Sequence, residues 1–195
     1  MTGLFATKQD LNVMKMVSRM LSAAKLNENT FKELRDNPTA TLQSIFLVPI
    51  SGLCYGLGFG VFGYFTYNFS ANLVALVVLL SLVSAGIIAI VWSFTTFLIV
   101  ARLFRKTVSY PGLVRPFLFS WSPGILFIFL LSPNQFVSDG FRILATAWVA
   151  VASIFGVRYA GGLTLQQSMV TFIVSILILI FAQIVFESVL PVFFA

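Results

Sequence analysis

The chain has 195 residues, of which 59% are hydrophobic and only 9% are charged. Because so few charged side chains cannot cover the surface of a water-soluble globule, the composition excludes a soluble domain. It indicates a polytopic membrane protein. The formal net charge is +6, but the basic residues flank apolar runs, where they anchor topology and contact lipid headgroups, and no nucleic-acid partner is expected.

The amino-terminal region, residues 1–41, is predicted to lie in the cytoplasm and to contain an amphipathic helix. From Asp10 to Lys25 the apolar side chains recur at spacings of three and four residues, with polar and basic side chains between them. A methionine-rich apolar face opposite a basic face is typical of a helix that lies among anionic headgroups. The alternative is that the same face packs on the transmembrane helices or on a partner protein.

A second short helix is predicted before the first apolar stretch. Thr30 and Glu33 have the spacing of a capping box, so this helix is expected to begin at Phe31. Proline disfavours a helical conformation in the residue before it, so the helix is expected to end before Asn37-Pro38.

Residues 42–195 are predicted to form a membrane domain of the all-α class, a bundle of five transmembrane helices. The predicted spans are about 42–67, 73–104, 113–131, 142–159 and 168–192. The second would be about 48 Å long, beyond the ~30 Å hydrocarbon core yet too short for two spans and a turn, so one tilted helix is expected. Pro123-Gly124 predicts a kink near Ser120, Asp139-Gly140 is assigned to an outer turn, and Gly161-Gly162 is predicted to end the fourth span.

Two stripes of small residues predict that the first two spans pack closely together. Small side chains at every third or fourth position share one side of a helix and let another backbone approach. The stripe on the first span comprises Gly52, Gly56, Gly60 and Gly63, and the stripe on the second comprises Ser81, Ala85, Ala89 and Ser93.

The distribution of basic residues predicts the orientation of the chain. With five spans, eleven of the twelve lysines and arginines fall on the side of the amino terminus and the central loop, and only Arg142 falls on the other. Cytoplasmic loops carry an excess of positive charge, so the amino terminus and central loop are placed in the cytoplasm and the carboxyl terminus outside.

The segment from Arg102 to Gly124 is the one strongly polar interruption of the apolar chain. Its candidate interaction residues are Arg102, Arg105, Lys106, Tyr110 and Arg115. Because Arg115 precedes Pro116, it is expected to be extended, at the cytoplasmic mouth of the bundle. These side chains suit the acidic groups of a protein partner or lipid phosphates; the alternative is that they only anchor topology.

Arg142 and Glu187 are predicted to lie at similar depth near the outer ends of the fourth and fifth spans. We expect them to form an ion pair in or beside the interface. The alternative is that the carboxylate of Glu187 reaches the outer water by itself.

The residues needed for common catalytic and metal sites are missing from the sequence. It has no histidine, Cys54 is its only cysteine, and Glu187 is the only carboxylate within the apolar spans. Metal sites, nucleophilic triads and paired general acids all need such residues, so neither an enzymatic activity nor a cofactor or metal site is expected.

Short pieces spread through almost the whole chain carry a family resemblance. They are Arg19–Leu26, Asn37–Thr41, Val91–Phe97, Arg102–Phe104, Ser109–Arg115, Ser122–Gly124, Trp148 and Val157–Ala160 ahead of Thr164. In their order and spacing the chain resembles the prokaryotic branch of the Yip domain family (Ypt-interacting protein one). The resemblance implies five spans and a cytoplasmic amino terminus.

Eukaryotic members of that family associate with Rab-type GTPases in vesicle traffic, but this chain lacks their acidic-leucine-tyrosine-glycine-proline motif, so the resemblance leaves GTPase binding open. We expect a non-enzymatic protein that presents a basic cytoplasmic surface to anionic headgroups and to a membrane or cytoplasmic protein partner, as a scaffold in membrane organisation or trafficking. The alternatives are a small-molecule transporter or channel component and an accessory subunit of a larger membrane complex.

Overall fold

The computed structural model describes residues 12–194, with side chains over residues 12–181. The described chain is mostly helical and contains no strand. Its helices are α1 (Val13–Ala24), α2 (Glu28–Asp36), α3 (Ala40–Tyr67), α4 (Ala71–Leu98, extended by a π-helical turn, Ile99–Leu103), α5 (Tyr110–Phe119, followed by a 3-10 segment, Ser122–Leu131), α6 (Gln135–Gly161) and α7 (Leu165–Phe194).

Four helical stretches in the described residues are long and apolar enough to cross a membrane. They are α3, α4 with its π turn, α5 with the 3-10 segment, and α6. In α7 the stretch with described side chains, Leu165–Phe181, is apolar but shorter. The molecule therefore has the character of a multi-pass membrane protein.

The long second span is a single helix, as predicted. It runs for 33 residues from Ala71 to Leu103, and its most apolar window is almost entirely unburied within the molecule. A helix that is hydrophobic all round and still exposed fits a lipid surrounding rather than water. Its buried positions are the small residues Ala89, Ser93 and Thr96 and, in the π turn, Ile99 and Val100.

The third span breaks where the sequence predicts a kink. Helix α5 ends at Phe119, and after Ser120 and Trp121 the chain continues as a 3-10 segment that has Pro123 in its first turn. The expectation for Arg115 is wrong, because it lies inside α5 although Pro116 follows it. The bias against a helical residue before proline is a preference, and here the burial of Leu113 and Phe117 on the same helix outweighs it.

Single capping side chains shift two helix starts from their predicted positions. The predicted capping box is wrong, because α2 begins at Glu28 and Asn27 caps it by accepting a hydrogen bond from the Thr30 amide at 3.1 Å. Helix α6 begins at Gln135 because the Asn134 carboxamide oxygen accepts from the amides of Phe136 and Val137 at 3.0 and 3.3 Å. Asp139-Gly140 therefore belongs to α6 and not to a turn.

Two predicted helix ends are confirmed. Helix α2 stops at Asp36, directly before Asn37-Pro38. Helix α6 stops at Gly161, and Gly162 has a φ of 58°, a left-handed conformation in which a Cβ atom would be strained.

The two amino-terminal helices dock on the bundle. Met20 and Ala23 of α1 and Phe31 and Leu34 of α2 are buried against Phe119 and its neighbours on α3 and α6. Two long-range hydrogen bonds fix α1: the Ser122 hydroxyl donates to the Met20 carbonyl at 3.0 Å, and the Trp148 indole donates to the Ala24 carbonyl at 2.8 Å. The apolar side chains of α1 that face away from the bundle, Val13, Met14, Val17 and Leu21, are exposed.

Candidate functional site

Arg115 is buried where α2, α3 and α5 meet. Only 8% of its surface is exposed. Its Nη1 donates to the carbonyls of Arg35 at 2.8 Å and Leu34 at 3.3 Å, in the last turn of α2. The last four carbonyls of a helix have no donor within that helix, so Arg115 caps the carboxyl end of α2 and sits at the negative end of its dipole.

Helix α5 begins one turn before Arg115 for local reasons. The Ser109 hydroxyl accepts from the Gly112 amide at 3.2 Å, and Pro111 occupies the first turn. Serine is a favoured helix N-cap, and proline is tolerated in the first turn because its missing N–H has no partner there. This start places Arg115 in the second turn of α5, about 8 Å along the helix axis from Tyr110.

The charge of Arg115 is not neutralised by any described group. In the described part of the chain the guanidinium makes no salt bridge. Its Nε is buried and has no hydrogen-bond partner there. The charge of Asp36 acts on Arg115 from a distance, but its carboxylate pairs directly with Arg35 at 2.7 Å. Burying a cation without an anion costs free energy, so an anionic ligand would stabilise this site.

A groove of about 480 Å³ lies beside Arg115 between α3, α4 and α5. Most of its wall is apolar, and its polar groups gather at one end. Thr41, Ser44, Ser93 and Tyr110 supply hydroxyls there, and the Ser93 and Tyr110 hydroxyls are 3.0 Å apart. The groove therefore combines one cation and several hydroxyls with a hydrocarbon-like wall.

The exposed basic residues of the α4–α5 loop form a separate surface. Arg102 and Arg105 are exposed and Lys106 is half-buried. Lys106 and Arg35 line a polar pocket of about 410 Å³ with the Gly161-Gly162 turn. The five predicted interaction residues thus divide into this surface and the groove, where Tyr110 and Arg115 lie.

Arg19 is buried, although the helical pattern of α1 predicts that it faces solvent. It is only 5% exposed, although the sequence pattern puts it on the polar face of α1. Its guanidinium donates hydrogen bonds to both carboxylate oxygens of Glu33, one of them from Nε at 3.1 Å. Its Nη1 donates to the Gln43 side-chain oxygen at 2.6 Å. It therefore joins α1, α2 and α3.

Glu33 remains ionised in this contact. Its partial burial acts to raise the pKa, but the hydrogen bonds from Arg19 and Asn37 outweigh it and hold the pKa of Glu33 below its usual value.

The predicted outer ion pair falls partly outside the described residues. The side chain of Glu187 is not among them. Arg142 donates to Asp139 at 2.7 Å, one helical turn earlier, and both side chains are about half exposed. Such an exposed pair contributes little stability.

The two small-residue stripes face each other along part of their length. A Cβ built on Gly52 would meet the Ala85 Cβ at 2.8 Å, and one built on Gly56 would meet the Ser81 Cβ at 2.9 Å. Further along α3, Gly60 faces Val74 and Gly63 faces the Phe69 ring, and neither of these partners belongs to the stripe. Ala89 and Ser93 are buried and line the groove beside Arg115.

A larger apolar cavity of about 680 Å³ lies against α3, α4, the 3-10 segment, α6 and α7. Its polar contacts come from serine and threonine hydroxyls and from Tyr55, Trp92 and Trp121, and none of the described residues that line it is charged. Trp92 donates to Ser175 at 2.9 Å, whereas the buried Trp121 indole has no described partner. This cavity suits only an apolar occupant.

Metal binding has no support within the described residues, where no three acidic or cysteine side chains cluster. Compared with protein-family models, with curated proteins and with solved structures, the chain matches none. What the site does must therefore follow from its own residues.

Proposed function

We propose that the chain is a non-enzymatic, five-span membrane protein of the Yip domain type, with its amino terminus and α4–α5 loop in the cytoplasm and its carboxyl terminus outside. Helix α7 is the fifth span. The amphipathic helix α1 rests on the cytoplasmic side of the bundle, and the basic surface there recruits a protein partner and anionic headgroups. The molecule acts as a scaffold in membrane organisation.

The observation that carries this proposal is the gathering of basic residues at one end of the bundle. Arg35 from α2 and Lys106 from the α4–α5 loop line one pocket, together with the α6–α7 turn and with Asp36, which pairs with Arg35. Arg102 and Arg105 are exposed on the same loop. At the other end, the charge of Arg142 is offset by Asp139. This asymmetry supports a cytoplasmic basic end and a surface suited to acidic partners.

Affinity purification in mild detergent tests the surface. The triple variant Arg102→Gln, Arg105→Gln, Lys106→Gln is expected to lose a protein partner that co-purifies with the native chain, because it removes the charge that a partner's acidic groups meet. The matched control is Lys15→Gln, Lys25→Gln, Lys32→Gln, which removes the same charge from exposed positions of the amino-terminal helices. A native chain that purifies alone, or a partner retained by the loop variant, contradicts the proposal.

The alternative function is a small-molecule transporter or channel component, and the 680 Å³ cavity is the observation that favours it. Because the described residues around that cavity are uncharged, it supports an apolar cargo and not an ion or a polar solute. Transport of an apolar fluorescent solute into proteoliposomes, absent from empty vesicles, would favour this alternative. An accessory subunit of a larger complex would instead co-purify with fixed stoichiometry.

A further inference from the structure

We propose that the groove between α3, α4 and α5 binds one anionic phospholipid, with the lipid phosphate at Arg115 and an acyl chain along Ile45, Leu82 and Ile90. The site deepens the proposed function and rests on it for one point, the cytoplasmic placement of this end of the bundle. The cytoplasmic leaflet is the one whose surface is negative.

The hydrogen bonds of Arg115 leave one edge of its guanidinium without a partner, and a rotation of the side chain would bring the covered Nε to the groove. The two carbonyls of α2 engage Nη1 alone. Nε and Nη2, the other edge of the planar guanidinium, have no hydrogen bond within the described residues, and Nε is buried. Two parallel N–H donors match two oxygens of a phosphate, and arginine is the side chain best suited to that bidentate contact.

The backbone of α3 adds an acceptor at the same groove. Pro49 lies inside α3 and lines the groove together with Ile45. Since proline has no N–H, the Ile45 carbonyl lacks its usual helical donor four residues later. A free carbonyl near a cation and several hydroxyls can accept from a headgroup hydroxyl, such as that of a phosphatidylglycerol.

The rest of the groove selects a lipid over a soluble anion or an acidic peptide. Val48, Ala89 and Leu118 form a buried apolar floor, while Ile45 and Ile90 are exposed at its margins. The groove therefore opens sideways onto the apolar surface of α3 and α4, which faces lipid. Its volume lies within the ~300–1,000 Å³ typical of ligand sites. Free phosphate would leave this wall without an apolar partner, and a peptide backbone would leave polar groups unpaired against it.

Gly86 of α4 allows the groove to be blocked without touching Arg115. It lines the groove, and a Cβ built on it meets no atom within 4 Å. A phenylalanine there enters open space and replaces a glycine in a helix interior, so the fold is expected to tolerate Gly86→Phe. The matched control is Gly140→Phe, because Gly140 is also helical, also has open space around its Cβ position and lies away from the groove.

The test is native mass spectrometry of the full chain in mild detergent, titrated with phosphatidylglycerol or phosphatidylcholine. We expect one phosphatidylglycerol to bind at least about ten-fold more tightly than phosphatidylcholine. Both lipids carry a phosphodiester anion, but the quaternary ammonium of phosphatidylcholine offsets that charge and is repelled by Arg115, and phosphatidylcholine has no headgroup hydroxyl to donate to the Ile45 carbonyl. Gly86→Phe is expected to lower phosphatidylglycerol affinity about ten-fold, and Gly140→Phe to leave it unchanged. Arg115→Gln is expected to abolish the preference for phosphatidylglycerol over phosphatidylcholine. Because Arg115 also caps α2, Arg115→Gln could fail to fold, and in that case the result for Gly86→Phe decides.

Three results would overturn the site: equal affinity for both lipids in the native chain, an undiminished preference in Gly86→Phe, or displacement of the lipid by millimolar inorganic phosphate, which would show a site for the free anion. The triple variant Arg102→Gln, Arg105→Gln, Lys106→Gln separates this inference from the proposed function. It should keep the lipid preference. If it loses the preference while Gly86→Phe keeps it, the loop binds lipid and the groove does not. If only Gly86→Phe loses the lipid preference and no protein partner co-purifies, the lipid site in the groove is supported and the scaffold function is contradicted.

Discussion

Arg19 is surrounded by its own chain's acceptors, whereas Arg115 meets only two backbone carbonyls. Arg19 contacts a carboxylate and a carboxamide oxygen, so its burial is compensated within the molecule. Arg115 has no such anion among the described residues. The two arginines are about equally buried but differ in role. Arg19 joins helices of its own chain, whereas Arg115 is left to bind an external anion.

Replacing Glu33 by glutamine is expected to lower the free energy of unfolding by about 1–2 kcal/mol, because it leaves the buried Arg19 without its anion while the 41% exposure of Glu33 lets water compensate in part. Thermal unfolding in detergent measures the loss. Glu28→Gln is the control on the same helix, since the Glu28–Lys32 pair is exposed on both sides, and it should change the unfolding temperature little. Equal shifts for the two variants would contradict the role of the buried pair.

The same pair gives a pH readout. Glu33 has a pKa below its ordinary value of 4.5 in the folded chain. Its contribution to stability is therefore complete above about pH 4.5 and is lost as the pH falls through the lower folded pKa, because only the unfolded chain takes up the proton in that window. The native chain should lose stability more steeply than Glu33→Gln on acidification below pH 4.5. Parallel curves would mean that Glu33 is not held ionised by Arg19.

Residue pattern alone could not identify either arginine's role. The spacing of apolar residues in α1 assigns Arg19 to the polar face, because the pattern contains no information about Glu33 and Gln43 on other helices. Arg115 was singled out from its polar segment, but its burial depends on the end of α2, 80 residues earlier in the chain. Contacts between distant segments decide both cases.

At the scale of the elements, the apolar runs predict the position of the spans well and their ends poorly. Composition over some twenty residues determines whether a helix can cross a membrane, so α3, α4 and the broken third span are found. A helix start depends on one side chain, and Asn27 and Asn134 each displaced a start that was assigned from other residues. The groove itself was not predicted, since it is formed by three helices jointly.

Glycine spacing on α3 also predicts less than the packing shows. The closest approach occurs at Gly58, outside the predicted stripe, where a Cβ would lie 2.2 Å from the Phe127 carbonyl oxygen of the 3-10 segment. This glycine permits the contact between α3 and the third span. Its importance is invisible in the sequence because its partner is a backbone atom in an irregular segment.

Gly58→Ala is accordingly expected to destabilise the chain by about 1–3 kcal/mol, because backbone must move to admit the methyl group. Gly86→Ala, in open space on α4, should be neutral or stabilising by up to about 1 kcal/mol through higher helix propensity. Thermal unfolding of both variants in detergent gives the comparison. If Gly58→Ala unfolds no earlier than Gly86→Ala, the close contact with Phe127 does not constrain the bundle.

For the whole molecule, two independent observations describe where the basic residues lie. One is their count in the loops along the sequence, and the other is their position in the folded structure. The count uses only loop order, whereas the pocket lined by Arg35, Lys106 and the Gly161-Gly162 turn depends on how the helices pack. Both assign the same segments to one end. Sequence therefore predicts the distribution of charge along the membrane normal, but not which basic residues are exposed and which are enclosed.

Cysteine labelling tests the proposed orientation and span number. In a Cys54→Ser background, a membrane-impermeant maleimide should label Pro133→Cys and Ala195→Cys in intact cells, and Thr107→Cys only after permeabilisation, because the proposed topology puts only Thr107 in the cytoplasm. The reverse pattern would contradict the orientation. Labelling of Pro133→Cys without Ala195→Cys would mean that α7 does not cross.

The hydrogen bond from Trp148 to Ala24 bears on how lipid surrounds the protein. Trp148 lies thirteen residues before the end of α6, about 20 Å along the helix axis. The α1–α2 turn is therefore held against the middle of α6, and its Lys25 and Asn27 side chains are exposed there. Charge and amide groups at that height are costly in hydrocarbon. We therefore expect the bilayer to be thin on this flank, so that headgroups and water reach the α1–α2 turn from the proposed cytoplasmic side.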